Sequence, residues 1–169
     1  MRKALVIAAI CALVPAAAFA QSKVINEKDV NESALVDMLT PPPVTRSIKV
    51  QRDAPPPSAS LLITFETNSA QLTPQAKQSL EIVGRALKNE KLNDFKFAIE
   101  GHADPRGNND RNQKLSQARA ESVAAFLAQQ QQIDKARLQP VGKGSSELMN
   151  TSNVAAPENR RVTIKTLTN

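Results

Sequence analysis

Tryptophan and tyrosine are absent from this 169-residue chain, and cysteine and histidine occur once each. The only aromatics are five phenylalanines. Those that follow Phe19 fall at core-facing spacing, so the stacking platforms of a nucleic-acid binder are missing. A single histidine, His102, excludes a multi-histidine metal centre. The single cysteine, Cys11, lies within the first twenty residues, so no disulfide framework, thiolate nucleophile or cysteine metal site is expected beyond them. The apolar run near the start, Ala4 to Val14, is too short to span a bilayer, no later segment approaches ~18 consecutive apolar residues, and no transmembrane helix is expected. A nucleophile-elbow sequence and a dinucleotide or P-loop glycine pattern are also missing. Gly142-Lys143-Gly144 is too short for either glycine pattern and reads as a turn.

The chain opens like a secretory signal peptide over residues 1–20. Arg2 and Lys3 precede the apolar run Ala4 to Val14, then Pro15 and the small-residue end Ala18-Phe19-Ala20. Ile10 stands before Cys11 where a lipoprotein box has a small residue, so cleavage after Ala20 is expected rather than lipidation. The charge of +6 falls by two without Arg2 and Lys3, a mild excess that names no partner.

Composition divides the remainder. Residues 21–60 read as a polar segment with a helical candidate at Asp29–Leu39, followed by a linker containing Pro41 to Pro43 and Pro55 to Pro57. Between the prolines, Ser47 to Gln51 alternates like a short strand. From residue 61 to 169 a folded domain is expected. Leu61–Phe65 is its first strand, and Thr73-Pro74 caps a helix carrying Ala76, Leu80, Val83 and Leu87. A strand through Phe95, Phe97 and Ile99 ends at Gly101. A second helix spans Gln113–Gln130, and strands follow at Leu138–Val141 and from Val162 through Leu167. This β-α-β-α-β-β order implies an α+β sandwich with helices packed on one face of a mixed sheet.

One residue breaks the amphipathic pattern. The second helix has the apolar series Leu115, Ala118, Val123, Phe126 and Leu127, and Arg119 falls roughly 40° from both Leu115 and Val123 at 100° per residue. A guanidinium there needs a carboxylate partner or a route to water. An internal ion pair or a snorkelling side chain would satisfy it, and so would a ligand. His102 and Asp104, two residues apart in one loop, do not by themselves make a hydrolytic triad. His102 reads as a loop imidazole bonded to backbone at a strand end.

Four motifs then coincide: ITFETNSAQLTPQA at 63–76, IEGHADPRG at 99–107, NQKLSQARAESVAAFL at 112–127 and NRRVTI at 159–164. Together they resemble the OmpA-like peptidoglycan-binding domain, found in outer-membrane protein A, peptidoglycan-associated lipoproteins and flagellar stator proteins. The chain departs from that pattern at Glu66, where many relatives carry aspartate, and at Ser145 to Met149, where a proline is common. The resemblance implies a non-catalytic binder of the diaminopimelate residue of the peptidoglycan stem peptide, with no cofactor and no metal. Its motif positions map onto Asp104 and Arg119 as principal contacts, with Asn112, Asn68 and Arg160 beside them. The chemistry agrees, because diaminopimelate carries an ammonium and a carboxylate on one free carbon. Asp104 can accept the first, and Arg119 offers a planar fork to the second.

The expected location is the periplasm, at the cell wall or outer membrane, with no nucleic-acid partner. The alternative function is an adaptor in an envelope complex, with residues 21–57 binding a protein partner.

Overall fold

The computed structural model describes residues 24–42 and 55–168. The leader, Cys11 and the Ser47–Gln51 alternation lie outside the described residues. Eight regular elements follow in order: β1 (Ile25–Asn26), α1 (Glu32–Leu39), β2 (Ser58–Leu62), α2 (Pro74–Leu87), β3 (Lys96–His102), α3 (Asn109–Gln130), β4 (Leu138–Gly144) and β5 (Val162–Leu167). The strands form one mixed sheet in the order β1-β2-β5-β3-β4. β5 runs antiparallel to both of its neighbours, whereas β1 with β2 and β3 with β4 are parallel. This is the expected α+β architecture, enlarged by one strand and one helix.

The core lies between the helices and one sheet face. In-register pairs Leu61–Val162 and Ile99–Ile164 meet Leu80, Val83 and Leu87 of α2 and Val123 and Leu127 of α3. The start of α2 follows the sequence reading. The Thr73 hydroxyl accepts from Ala76 N at 3.2 Å, with Pro74 in the first turn.

The expected boundary at residue 61 leaves out part of this core. β1 extends the sheet beside Leu61 and Leu62, and α1 buries Leu35 and Leu39 completely. Thr166 Oγ1 donates to the Leu39 carbonyl at 2.6 Å, and the Glu27 carboxylate accepts from Thr64 N at 2.6 Å. Eight residues of α1 show too few periodic repeats to be read as core from sequence.

Three other differences bear on the site. First, α3 begins at Asn109, before the expected Gln113. The Asn108 side chain caps it by accepting from Asp110 N and Arg111 N, and a polar first turn hides that start from hydrophobic periodicity. Second, the face α3 turns to the sheet is Asn112, Ser116, Ala120, Val123 and Leu127, rotated from the Leu115–Ala118 series. Leu115 and Ala118 are only half-buried.

Third, Gly142 and Gly144 belong to β4 rather than to a turn, and they explain the rotation. A methyl group on Gly142 would stand 2.6 Å from Gln117 N, and one on Gly101 would collide with the Ser116 carbonyl. The missing side chains let α3 lie directly on the strands. There it satisfies the backbone of the outer strand: Gln113 Nε2 donates to the Gly142 carbonyl at 2.7 Å. Gln117 Oε1 accepts from Gly142 N at 2.6 Å, and Ser116 Oγ accepts from Gly144 N at 2.9 Å.

Candidate ligand site

Asp104 sits on the loop between β3 and α3 and is 8% exposed. Asn112, in the first turn of α3, holds this loop. Its side-chain amide donates to the Asp104 carbonyl at 2.9 Å and to the Arg106 carbonyl at 3.3 Å. The sequence places Asn112 in the ligand set; the structure gives its amide hydrogens to the loop backbone.

Two arginines reach the Asp104 carboxylate. Arg106 donates from Nε to Oδ1 at 3.2 Å and from Nη2 to Oδ2 at 2.9 Å, while its backbone N–H also meets Oδ1 at 3.1 Å. Arg160 donates from Nη1 to Oδ2 at 3.0 Å and to the Ala155 carbonyl at 2.9 Å. Hydrogen bonds from Arg106 outweigh the cost of burial and, with those from Arg160, hold the carboxyl at about 2, below its ordinary value. Asp104 is therefore a carboxylate at any physiological pH.

Arg119 approaches from α3 and is half-buried. Its Nε donates to the Ser69 carbonyl at 3.1 Å, and its guanidinium carbon stands 4.9 Å from the centre of the Phe65 ring. Among the described residues it has no ion pair, and neither Nη nitrogen has a hydrogen-bond partner. Burial chiefly, then the positive charge of Arg160, disfavours its charged form, and Asp104 acts in the opposite direction. The internal ion pair that would have made Arg119 structural is thus not formed.

Asn68 occupies the loop opposite. It is exposed and has φ of 52°, a left-handed conformation that asparagine adopts more readily than most residues. The turn closes when Ser69 N donates to the Glu66 carbonyl at 3.0 Å, and it is this turn that aims the Ser69 carbonyl at Arg119. A cleft of about 170 Å³ opens between Phe65, Arg119, Arg160 and Arg161, with Asp104 joined to its rim through Arg160. A larger hollow, about 1060 Å³, lies beside Leu62, Met149 and Thr151. It includes neither Asp104 nor Arg119, so size and chemistry disagree, and the charge arrangement favours the smaller cleft.

Sequence reasoning missed two supporting residues, Arg106 and Asn159. Asn159 is fully buried. Its Oδ1 accepts from Met149 N and Asn150 N, and its Nδ2 donates to the carbonyls of Asn150, Asn153 and Val154. It thereby shapes the loop whose Ala155 carbonyl fixes Arg160. Arg106 was visible inside the GHADPRG motif but carries no periodic signal.

The opposite face of the sheet holds a polar cluster. Glu100, His102 and Glu147 each offer a ligand atom, all within 4.8 Å of one another. Glu100 already meets Lys165 at 3.0 Å and Lys143 at 3.5 Å, and Glu147 meets Lys143 at 2.8 Å. Arg161 adds a third cation, donating to the Glu147 carbonyl. Two carboxylates are thus matched by three cations, and a divalent metal would have to displace two ammonium groups. The cluster reads as an ion network.

His102 differs from its expected place in a loop bonded to backbone. It belongs to β3, and neither ring nitrogen has a hydrogen-bond partner among the described residues. Burial first and Arg161 second lower its pKa to about 3, so the ring is neutral. Asp104 bonds to arginines and not to this ring, which removes the hydrolytic pairing.

A mixed sheet with helices on one face thus carries a guanidinium-lined cleft beside α3, with the Asp104 carboxylate held at its rim by Arg160. The model of the OmpA family matches residues 64–161, and the chain belongs to that family, as a non-catalytic domain. The outer-membrane lipoprotein YfiB of Pseudomonas aeruginosa is 36% identical over 104 residues, 60% of each chain. The peptidoglycan-associated lipoprotein of the same organism is 31% identical over 103 residues, 60% of this chain and 59% of that one. Among solved structures, the cell wall anchor of the T6SS from Pseudomonas aeruginosa superposes with a TM-score of 0.51 at 27% identity. That match covers 62% of this chain and 75% of the other. The chain spans about 60% of the length of the two lipoproteins.

Proposed function

We propose that this protein binds peptidoglycan without catalysis, through the diaminopimelate residue of the stem peptide, and so locates itself at the cell wall from the periplasm. The observation that carries the reading is Arg119: a half-buried guanidinium whose Nη nitrogens have no partner among the described residues, within electrostatic reach of an Asp104 that its arginines keep ionised at neutral pH. A ligand with ammonium and carboxylate on one carbon satisfies both ends at once. The ammonium goes to Asp104, and the carboxylate meets the planar fork of Arg119 and the neighbouring charge of Arg160. Asn112 sets the height of the Asp104 loop, and Asn68 shapes the turn behind Arg119. The relatives named for peptidoglycan association and for anchoring to the cell wall support the same class of ligand. The signal-like residues 1–20 and the relatives described as outer-membrane or peptidoglycan-associated lipoproteins support the location.

The adaptor alternative draws less support. Residues 24–42 place Leu35, Val36 and Leu39 in the domain's own core, which reduces the apolar surface they can offer to a partner. Sacculus co-sedimentation of the wild type, Arg119→Ala and Asp104→Ala, with melting measured on the same samples, tests the proposal. Loss of binding in folded variants is expected. Retained binding in both alanine variants overturns the site.

A further inference from the structure

We propose that Arg106 gates Asp104: its guanidinium holds the place of the ligand's ammonium and is displaced only when a zwitterionic ligand arrives. The inference rests on the diaminopimelate reading and adds an affinity threshold to it.

The geometry is that of an internal stand-in. Arg106 takes both Asp104 oxygens at once, through Nε at 3.2 Å and Nη2 at 2.9 Å. Asp104 is buried, so an incoming ammonium cannot reach both oxygens while that fork is in place. The two arginines on Asp104 differ in what else holds them. Arg160 is tethered by the Ala155 carbonyl. The Arg106 side chain is 64% exposed, and its guanidinium has no second hydrogen-bond partner among the described residues. Next to it Gly107 has φ of 98°, in the region that favours glycine. The Arg106 side chain can therefore leave without disturbing a packed element, whereas Arg160 cannot.

Displacement exchanges one charge-assisted pair for another, so an amine by itself gains little from Asp104. A ligand with a carboxylate on the same carbon also engages Arg119, and that second contact has no internal competitor. The gate therefore sets a threshold for every amine, and the Arg119 contact lets a ligand with the adjacent carboxylate pass it where the side chain of a lysine-type stem peptide gains too little.

Calorimetric titration of the wild type, Arg106→Gln and Arg106→Lys with a diaminopimelate muropeptide and its lysine counterpart tests this. Arg106→Lys keeps the charge while losing the fork. Both variants should bind the diaminopimelate ligand about two- to five-fold tighter, the range of one exposed ion pair. The lysine ligand should gain by a similar factor, because the displaced contact is common to both, which lifts it toward detectable binding. In the wild type, the Arg106 Nε–H resonance should shift on saturation. Wild-type binding with unchanged or weaker binding in both variants overturns the gate alone, and so does an Nε–H resonance that does not move. Absence of binding in all three folded proteins removes the diaminopimelate reading itself, and the gate with it.

Discussion

Arg160 and Asp104, 56 positions apart in the chain, meet at 3.0 Å and join the end of the 145–161 loop to the loop that follows β3. The contact puts the acid of the cleft under the control of two separate loops. Arg119, which feels Asp104 only at longer range, has no direct carboxylate contact among the described residues.

That asymmetry predicts different behaviour for the two principal residues. Arg119→Ala removes a group with no internal ion pair, so melting should change little while sacculus binding falls. The expected loss is ~2–5 kcal/mol, roughly 30-fold to several thousand-fold in affinity. Arg119→Lys should bind poorly as well, because one ammonium cannot reproduce the fork. Asp104→Ala should lose binding and also some stability, since Arg106 and Arg160 lose their shared counterion. Co-sedimentation and calorimetric melting of the three variants check this.

Asn159→Ala should act at a distance from the cleft. Five hydrogen bonds to a loop backbone are lost at a fully buried position, at a cost of about 2–4 kcal/mol. Arg160 should lose its fixed carbonyl, weakening peptidoglycan binding in whatever fraction remains folded. A binding isotherm corrected for the folded fraction separates the two effects.

The neutral His102 sets a pH dependence. Its folded pKa of about 3 lies below its ordinary 6.5, so the unfolded chain takes up the proton first as pH falls. The contribution is complete above about 6.5 and declines below it, by roughly 2 kcal/mol at pH 5. Glu147 and Glu158, whose carboxyls are also held below their ordinary values, add to the loss only at lower pH. Urea midpoints at pH 7 and pH 5 should differ in the wild type. The difference should be much smaller in His102→Gln.

Leu35→Ala or Leu39→Ala should each destabilise the protein by about 2–5 kcal/mol, as for any fully buried leucine truncated to alanine. A separate N-terminal tail would tolerate both substitutions. Chemical denaturation of the full-length variants distinguishes these outcomes.

The sequence reading succeeded where one signal repeats. Ala76, Leu80, Val83 and Leu87 recur at helical spacing behind the Thr73-Pro74 start, and Phe97 and Ile99 alternate toward the core. It failed where packing depends on small or polar atoms. The inward face of α3 uses Asn112, Ser116 and Ala120 because three glycines bring strands against it, and hydrophobic periodicity is blind to such a face. The helical candidate at Asp29–Leu39 contains α1, but its eight residues gave no sign that they pack into the domain, and the two-residue N-terminal strand is too short to stand out. Arg119 was visible as an anomaly, and Asp104 and Arg160 through their motifs. Arg106 and Asn159 act through hydrogen bonds that only the assembled loops define.

The sheet order carries a consequence for how the molecule is made. β5 lies between β2 and β3, yet among the described strands it is the last to be synthesised. Until Val162–Leu167 arrives, β1 with β2 and β3 with β4 are two parallel pairs with no strand between them. Each is half of a sheet with an open inner edge. The native state is thus sealed by its final segment, and most of its pairing must wait for distant parts of the chain to meet. The five-stranded sheet therefore cannot close before Val162–Leu167 has emerged, and its two halves depend on one late strand to become a single surface.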